Sequence, residues 1–204
     1  MDTLLDGYRR FRETSWPERK ALFEKLAARG QKPQTLIIAC SDSRVDPSMI
    51  FDAGPGELFV VRNVANLVPP YTSPDHAHHG TSAAIEFAVR VLEVKRIVVM
   101  GHALCGGARA LIDGVPSAAQ DFLADWIHLA DPVRSIARNL SDDPEEQRRI
   151  AEYGCVKLSL KNLETFPWIR ERTEDGRLEL AGAYFAVATG VLERLKPDGT
   201  FGPA

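Results

Sequence analysis

Only 3 of the 204 residues are cysteine, and they stand far apart at positions 40, 105 and 155. An odd, scattered set of this kind offers no disulfide framework of the sort that staples small secreted domains. Long apolar runs are missing as well, since nothing approaches the ~18 consecutive apolar residues of a membrane span. Met1 to Asp6 contains no basic region leading into an apolar core, so a cytoplasmic protein without membrane contact is expected. Charge of one sign is also scarce. With 25 Lys+Arg against 28 Asp+Glu the net charge is -3, and no basic cluster offers a footprint for nucleic acid. Repeats and low-complexity tracts are absent, and Gly101-x-x-x-x-Gly106-Gly107 lacks the Lys-Ser or Lys-Thr of a phosphate loop. What remains is 45% hydrophobic, enough to bury one ordinary core.

The apolar residues are distributed as strands and helices in alternation. Aliphatic runs at 35–39 and 96–100, bounded by turn residues, read as buried strands of a parallel sheet. A further strand is expected over 57–61 and a last edge strand over 178–186. Helical spacing covers 3–11, 16–28 with Pro17 in its first turn and Gly30 as its stop, 81–92, and much of 116–164, with a short helical stretch over 48–51. These elements predict an α/β fold, a central mostly parallel β-sheet of about four strands plus an edge strand, flanked by helices. The chain reads as a single domain: an N-terminal helical arm over 1–30, a core carrying the candidate site over 31–110, and a helical region with the edge strand over 111–204.

Both central runs end in soft metal ligands. The first leads into Cys40-Ser41-Asp42-Ser43-Arg44 and the second into Gly101-His102-Ala103-Leu104-Cys105. Carboxyl ends of parallel strands form the rim where active sites collect. Cys40, His102 and Cys105 can therefore meet on one ion, and three such ligands with a fourth position for water are the pattern of a catalytic zinc. A cysteine at a strand end is otherwise a small buried hydrophobe, the reading given to Cys155. Asp42 and Arg44, however, have no packing reason to stand at the mouth of a buried strand. A closed structural zinc site would need a fourth protein ligand. Gly106 and Gly107 let the backbone approach the bound ligand, and the helix they open presents its N-terminus to Cys105, which favours a thiolate.

The pairing of C-x-D-S-R at 40–44 with H-x-x-C at 102–105, about sixty residues on, resembles the signature of the β-class carbonic anhydrases. The stretch Pro55-Gly56-Glu57-Leu58-Phe59-Val60-Val61-Arg62-Asn63-Val64-Ala65-Asn66 is similar to the same family, and the likeness runs over roughly residues 5–195. The resemblance implies zinc-dependent reversible hydration of carbon dioxide to bicarbonate and a proton by metal-bound hydroxide. A related hydrolase acting on carbonyl sulfide or carbon disulfide is the alternative. It implies Zn²⁺ on Cys40, His102 and Cys105, with Asp42 accepting a hydrogen bond from the nucleophile and Arg44 holding Asp42. Gln31, Phe59, Val64, Phe87 and Gly106 would contact substrate. The N-terminal helices would pack on a partner subunit in a homodimer or a higher even homo-oligomer, with Gln31 and Phe59 of one subunit serving the other's zinc. Bicarbonate-inhibited members share an auxiliary Trp, Arg and Tyr; Arg62 and Tyr184 match two of these, but Ile37 stands in the tryptophan's place, and Gln31 favours the open type. A zinc with two thiolates is formally neutral and acidifies water less than one held by three histidines, so activity should rise toward alkaline pH. His76, His78 and His79 are either proton carriers or surface residues.

Overall fold

In the computed structural model, which describes residues 1–73 and 78–204, one sheet is built from six strands. These are β1 (Thr35–Cys40), β2 (Leu58–Asn63), β3 (Arg96–His102), β4 (Glu179–Ala186), β5 (Val191–Leu195) and β6 (Phe201–Pro203), side by side in the order β2-β1-β3-β4-β5-β6. β1 pairs parallel with both β2 and β3, and β3 pairs parallel with β4. Leu36 through Cys40 are buried without a break, as a strand covered on both faces requires. Leu36, Ile38, Ile97 and Val99 pack on one face against helices, whereas Ile37, Ala39, Met100 and Ala183 share the other.

The strand expected at the sheet's edge over 178–186 is interior. β5 and β6 extend the sheet antiparallel beyond it. They leave no apolar signature in the sequence, because Val191-Leu-Glu-Arg-Leu195 is charged and only partly buried, and β6 is three residues long. Gly190, at φ 71°, makes the tight return that an L side chain would strain.

The helices are α1 (Asp2–Glu13), α2 (Ser15–Arg29), α3 (Pro47–Ile50), α4 (Gly80–Glu86), α5 (Gly106–Asp113), α6 (Leu123–His128), α7 (Asp131–Leu140), α8 (Pro144–Leu163) and α9 (Pro167–Glu174). The helix expected over 81–92 is interrupted, because α4 passes into a wider π turn over Phe87–Val91. Prolines stand in the first turns of α7 and α8, and the Asp143 side chain caps α8 by accepting from the Glu145 N–H. α8 lies close against β3 at Gly101, where an added Cβ would stand 2.6 Å from Val156.

α1 and α2 pack on each other through Phe11, Trp16 and Phe23, with the Arg12 guanidinium over the Trp16 ring at 4.9 Å. Neither helix buries a residue, and Leu4 and Tyr8 are 72% and 57% exposed. Among the described residues no helix is long and apolar enough to cross a membrane.

Candidate metal centre

Cys40 ends β1 and His102 ends β3. Because these strands are adjacent and parallel, with Ala39 opposite Met100, both side chains arrive on the same rim. Cys105 reaches them from the turn before α5, where Leu104 adopts a left-handed φ of 59°. The two sulfurs lie 3.9 Å apart, and the ligand atoms of all three residues fall within 4.8 Å of one another. All three residues are buried. His102 donates from Nδ1 to the Ala103 carbonyl at 2.9 Å, leaving Nε2 buried with no hydrogen-bond partner. Two sulfurs and an orphaned imidazole nitrogen suit zinc. Two Zn–S bonds of ~2.3 Å at tetrahedral angles would separate the sulfurs by roughly 3.8 Å.

Proton energetics agree with that donor set. The hydrogen bond from Cys105, strengthened by His102 and by the Asp42 and Ala65 backbone N–H groups, brings Cys40 down well below an ordinary thiol. Cys105 goes up in turn, held as the donor to Cys40 and desolvated. Their mutual contact thus favours one thiolate in the pair. Burial disfavours a charged His102, but the neighbouring Cys40 thiolate and the Ala103 carbonyl outweigh it, and the ring's pKa rises. Cys155 is different: burial pushes its thiol up to about 12, and it stays with the core.

Asp42 stands beside the cluster in a two-pronged ion pair with Arg44, Nε to Oδ1 at 2.9 Å and Nη2 to Oδ2 at 2.7 Å. The Arg44 backbone N–H adds a third bond to Oδ1, and Nη2 also donates to the Leu104 carbonyl at 3.1 Å. The hydrogen bonds from Arg44 hold the Asp42 carboxyl well below the usual carboxylate range. Arg62 fixes the backbone beneath: it donates to the carbonyls of Cys40 and Asp42 and pairs with Asp46.

Those contacts correct the match of Arg62 and Tyr184 to an auxiliary anion site. Arg62 is opposite Ala39, which is in phase with Met100 and Ala183, whereas Tyr184 is opposite Gly101. The two side chains therefore leave opposite faces of the sheet.

The pocket residues are distributed as follows. Val64 sits in the tight turn Val64–Asn66 and Gly106 opens α5, with free space where its Cβ would be. Phe59 and Phe87 form a ring pair with centroids 5.8 Å apart. Gln31 is exposed in the loop between α2 and β1. His78 and His79 line a cleft of ≈ 560 Å³ with Val64, Phe122 and Trp126, while His76 lies outside the described residues.

Gly107 is where α5 meets the Val64 turn. An added Cβ would stand 2.7 Å from Ala65 Cβ and 2.9 Å from Val64 Cγ1. Gly107→Ala is expected to lower unfolding stability by ~1–3 kcal/mol in a urea titration, because backbone and not a flexible side-chain end must move. An unchanged midpoint would show that the turn yields freely.

One residue at the site, Glu152, has no counterpart in the sequence reading, and Tyr184 takes a different role from the one expected of it. Glu152 on α8 accepts from the Cys105 N–H, and Tyr184 donates its hydroxyl to the same carboxylate. The available signal was a carboxylate at 152 on the stripe with Val156, Ser159 and Leu163, all of them buried.

Comparison with known proteins agrees. A family model described as carbonic anhydrase matches residues 35–192. The chain is 34% identical to beta carbonic anhydrase 3 of Arabidopsis thaliana, over 100% of this chain and 80% of that one. It is 36% identical to a carbonic anhydrase of Synechococcus elongatus, over 93% and 70%. Among solved structures, the β-carbonic anhydrase CcaA superposes with a TM-score of 0.92 at 32% identity, over 100% and 99% of the two chains. One of two tetrameric β-carbonic anhydrases of Sordaria macrospora gives 0.81 at 32% identity, over 98% of each. With its ligand cluster at the ends of β1 and β3 and this likeness along its whole length, the chain belongs to the β class of the carbonic anhydrase family.

Proposed function

We propose that this chain catalyses the reversible hydration of carbon dioxide to bicarbonate and a proton, with zinc held by the Cys40 and Cys105 sulfurs and His102 Nε2. The observation that carries the reading is the convergence of these three atoms within 4.8 Å beside a carboxylate clamped by Arg44. Zinc in this position supplies a hydroxide nucleophile at a pH where bulk water offers almost none. The remaining work falls to the protein. Asp42, ionised throughout the working range, can only accept a hydrogen bond, so it selects a protonated oxygen and turns its lone pair toward the substrate. Arg44 keeps both carboxylate oxygens occupied and is itself anchored on Leu104, which holds Asp42 off the metal and favours the open form.

Carbon dioxide is small and apolar, and Val64, Phe59 and Phe87 supply apolar walls for it. Gln31, exposed in its own chain, would hydrogen-bond substrate across a subunit boundary. The same assembly would give α1 and α2 the partner their exposed apolar residues lack within one chain. We take the protein to be a homodimer or a larger even oligomer, working in a reducing compartment such as the cytoplasm that keeps two thiolate ligands reduced.

Stopped-flow hydration assays from about pH 6.5 to about pH 9, with zinc measured in the same sample, test the activity. Activity is expected at neutral pH, rising smoothly toward alkaline pH. Arg44 depresses the Asp42 pKa, so that group stays ionised across the range and adds no step to the profile. A steep collapse below about pH 8 would reject the open form. A higher specificity constant for carbonyl sulfide or carbon disulfide would reassign the substrate. Leu4→Glu combined with Tyr8→Glu is expected to dissociate the assembly and cut turnover with zinc still bound, as read by light scattering and assay. A fully active monomer would refute the shared site.

A further inference from the structure

We propose that Glu152, braced by Tyr184, is the positioning residue that keeps the Cys105 sulfur in place and sets how tightly the chain holds its metal. The inference rests on the reading of Cys40, His102 and Cys105 as ligands.

Glu152 is buried in α8 at 7% exposure. Its Oε1 accepts from the Cys105 N–H at 3.1 Å, and its Oε2 accepts from the Tyr184 hydroxyl at 2.6 Å. Tyr184 is itself 4% exposed. Among the described residues no lysine or arginine forms an ion pair with this carboxylate. A buried carboxylate without a cation persists only where donors are built around it. These donors come from the ligand turn and from β4, so the carboxylate ties α8 and β4 to the metal loop.

That loop needs a restraint. Leu104 is held left-handed, and no capping side chain closes the start of α5 at Cys105. Arg44 grips the Leu104 carbonyl from the side of the ion pair. On the other side the loop faces a cavity of ≈ 690 Å³, lined by Leu104, Cys105, Arg148, Glu152 and Tyr184 among others. Cys105 is itself buried, but on this side the loop meets open space, and the hydrogen bond from its own N–H to Glu152 is the tether that spans it. Supporting contacts of this kind typically govern metal affinity by 10–100-fold.

The test is zinc competition against a chromophoric chelator on the full-length, zinc-loaded protein, reading both the equilibrium and the release rate. Glu152→Gln keeps the shape and is expected to weaken zinc binding ~10–100-fold. Tyr184→Phe should loosen it several-fold by freeing the carboxylate. The control is Tyr153→Phe, which removes a half-buried hydroxyl from a ring stacked on that of Tyr184, centroids 4.2 Å apart, but bonded to Glu193 and not to Glu152. It is expected to leave zinc binding unchanged even if it lowers the melting temperature. Zinc held by Glu152→Gln as tightly as by the parent, or lost equally from Tyr153→Phe and Tyr184→Phe, overturns the proposal. Should Glu152→Gln fail to fold, unchanged affinity in Tyr184→Phe overturns it alone. A parent that binds no zinc overturns the ligand assignment, and this inference falls with it.

Discussion

Replacing Cys40 by serine is expected to leave less than about a tenth of the parent's zinc bound and to lower kcat/KM by at least roughly 10³-fold. A serine hydroxyl stays protonated at neutral pH and is a harder donor than the thiolate it replaces. Two of the three protein ligands would remain, too few for a catalytic zinc site. The fold should survive. Cys40 stands at the end of β1, and serine can still receive the N–H groups of Asp42 and Ala65 that now face the sulfur. Metal-free variant and metal-free parent should therefore differ by only about 1 kcal/mol in urea. Cys155→Ser provides the contrast, since that thiol is buried away from the cluster and its loss should leave zinc content intact. Full zinc and full activity in Cys40→Ser would refute the ligand assignment.

Asp42→Asn should do the opposite, keeping zinc while lowering kcat/KM by ~10²–10³-fold. The amide preserves shape but replaces one acceptor oxygen with a donor. It breaks the two-pronged grip of Arg44 and presents a group that no longer selects a protonated oxygen. Arg44→Lys examines the clamp separately. A single ammonium cannot hold both carboxylate oxygens and the Leu104 carbonyl together, so Asp42 becomes free to turn toward the metal. The expected signature is low activity at neutral pH that recovers on raising pH, where the parent shows only a gradual rise. Parent-like rates in Asp42→Asn would remove that residue from the mechanism.

The parts legible in the sequence were those whose cause is local. Thr35–Cys40 and Arg96–His102 are aliphatic on both faces, which only a covered parallel strand explains, and their ligands follow immediately in the chain. The C-terminal hairpin was missed because its strands are short and half-exposed. The face taken by Tyr184 was also out of reach, since it depends on register against β3, a relation between positions more than 80 residues apart. The grip of Glu152 on Cys105 spans 47 residues and joins a helix to a turn. A carboxylate on an otherwise buried stripe announced that something would bind it, without saying what.

The adjacency of β1 and β3 carries a consequence for how the chain can be studied. The ligand atoms lie within 4.8 Å of one another, so a slip of one residue between these two strands, a shift of ~3.3 Å, would carry Cys40 out of place against His102 and dissolve the cluster. Zinc bound at the proposed site would therefore gauge strand alignment. In a collection of core variants, the fraction of molecules retaining metal would count those whose two central strands have docked in step, a folding error that melting curves alone do not resolve.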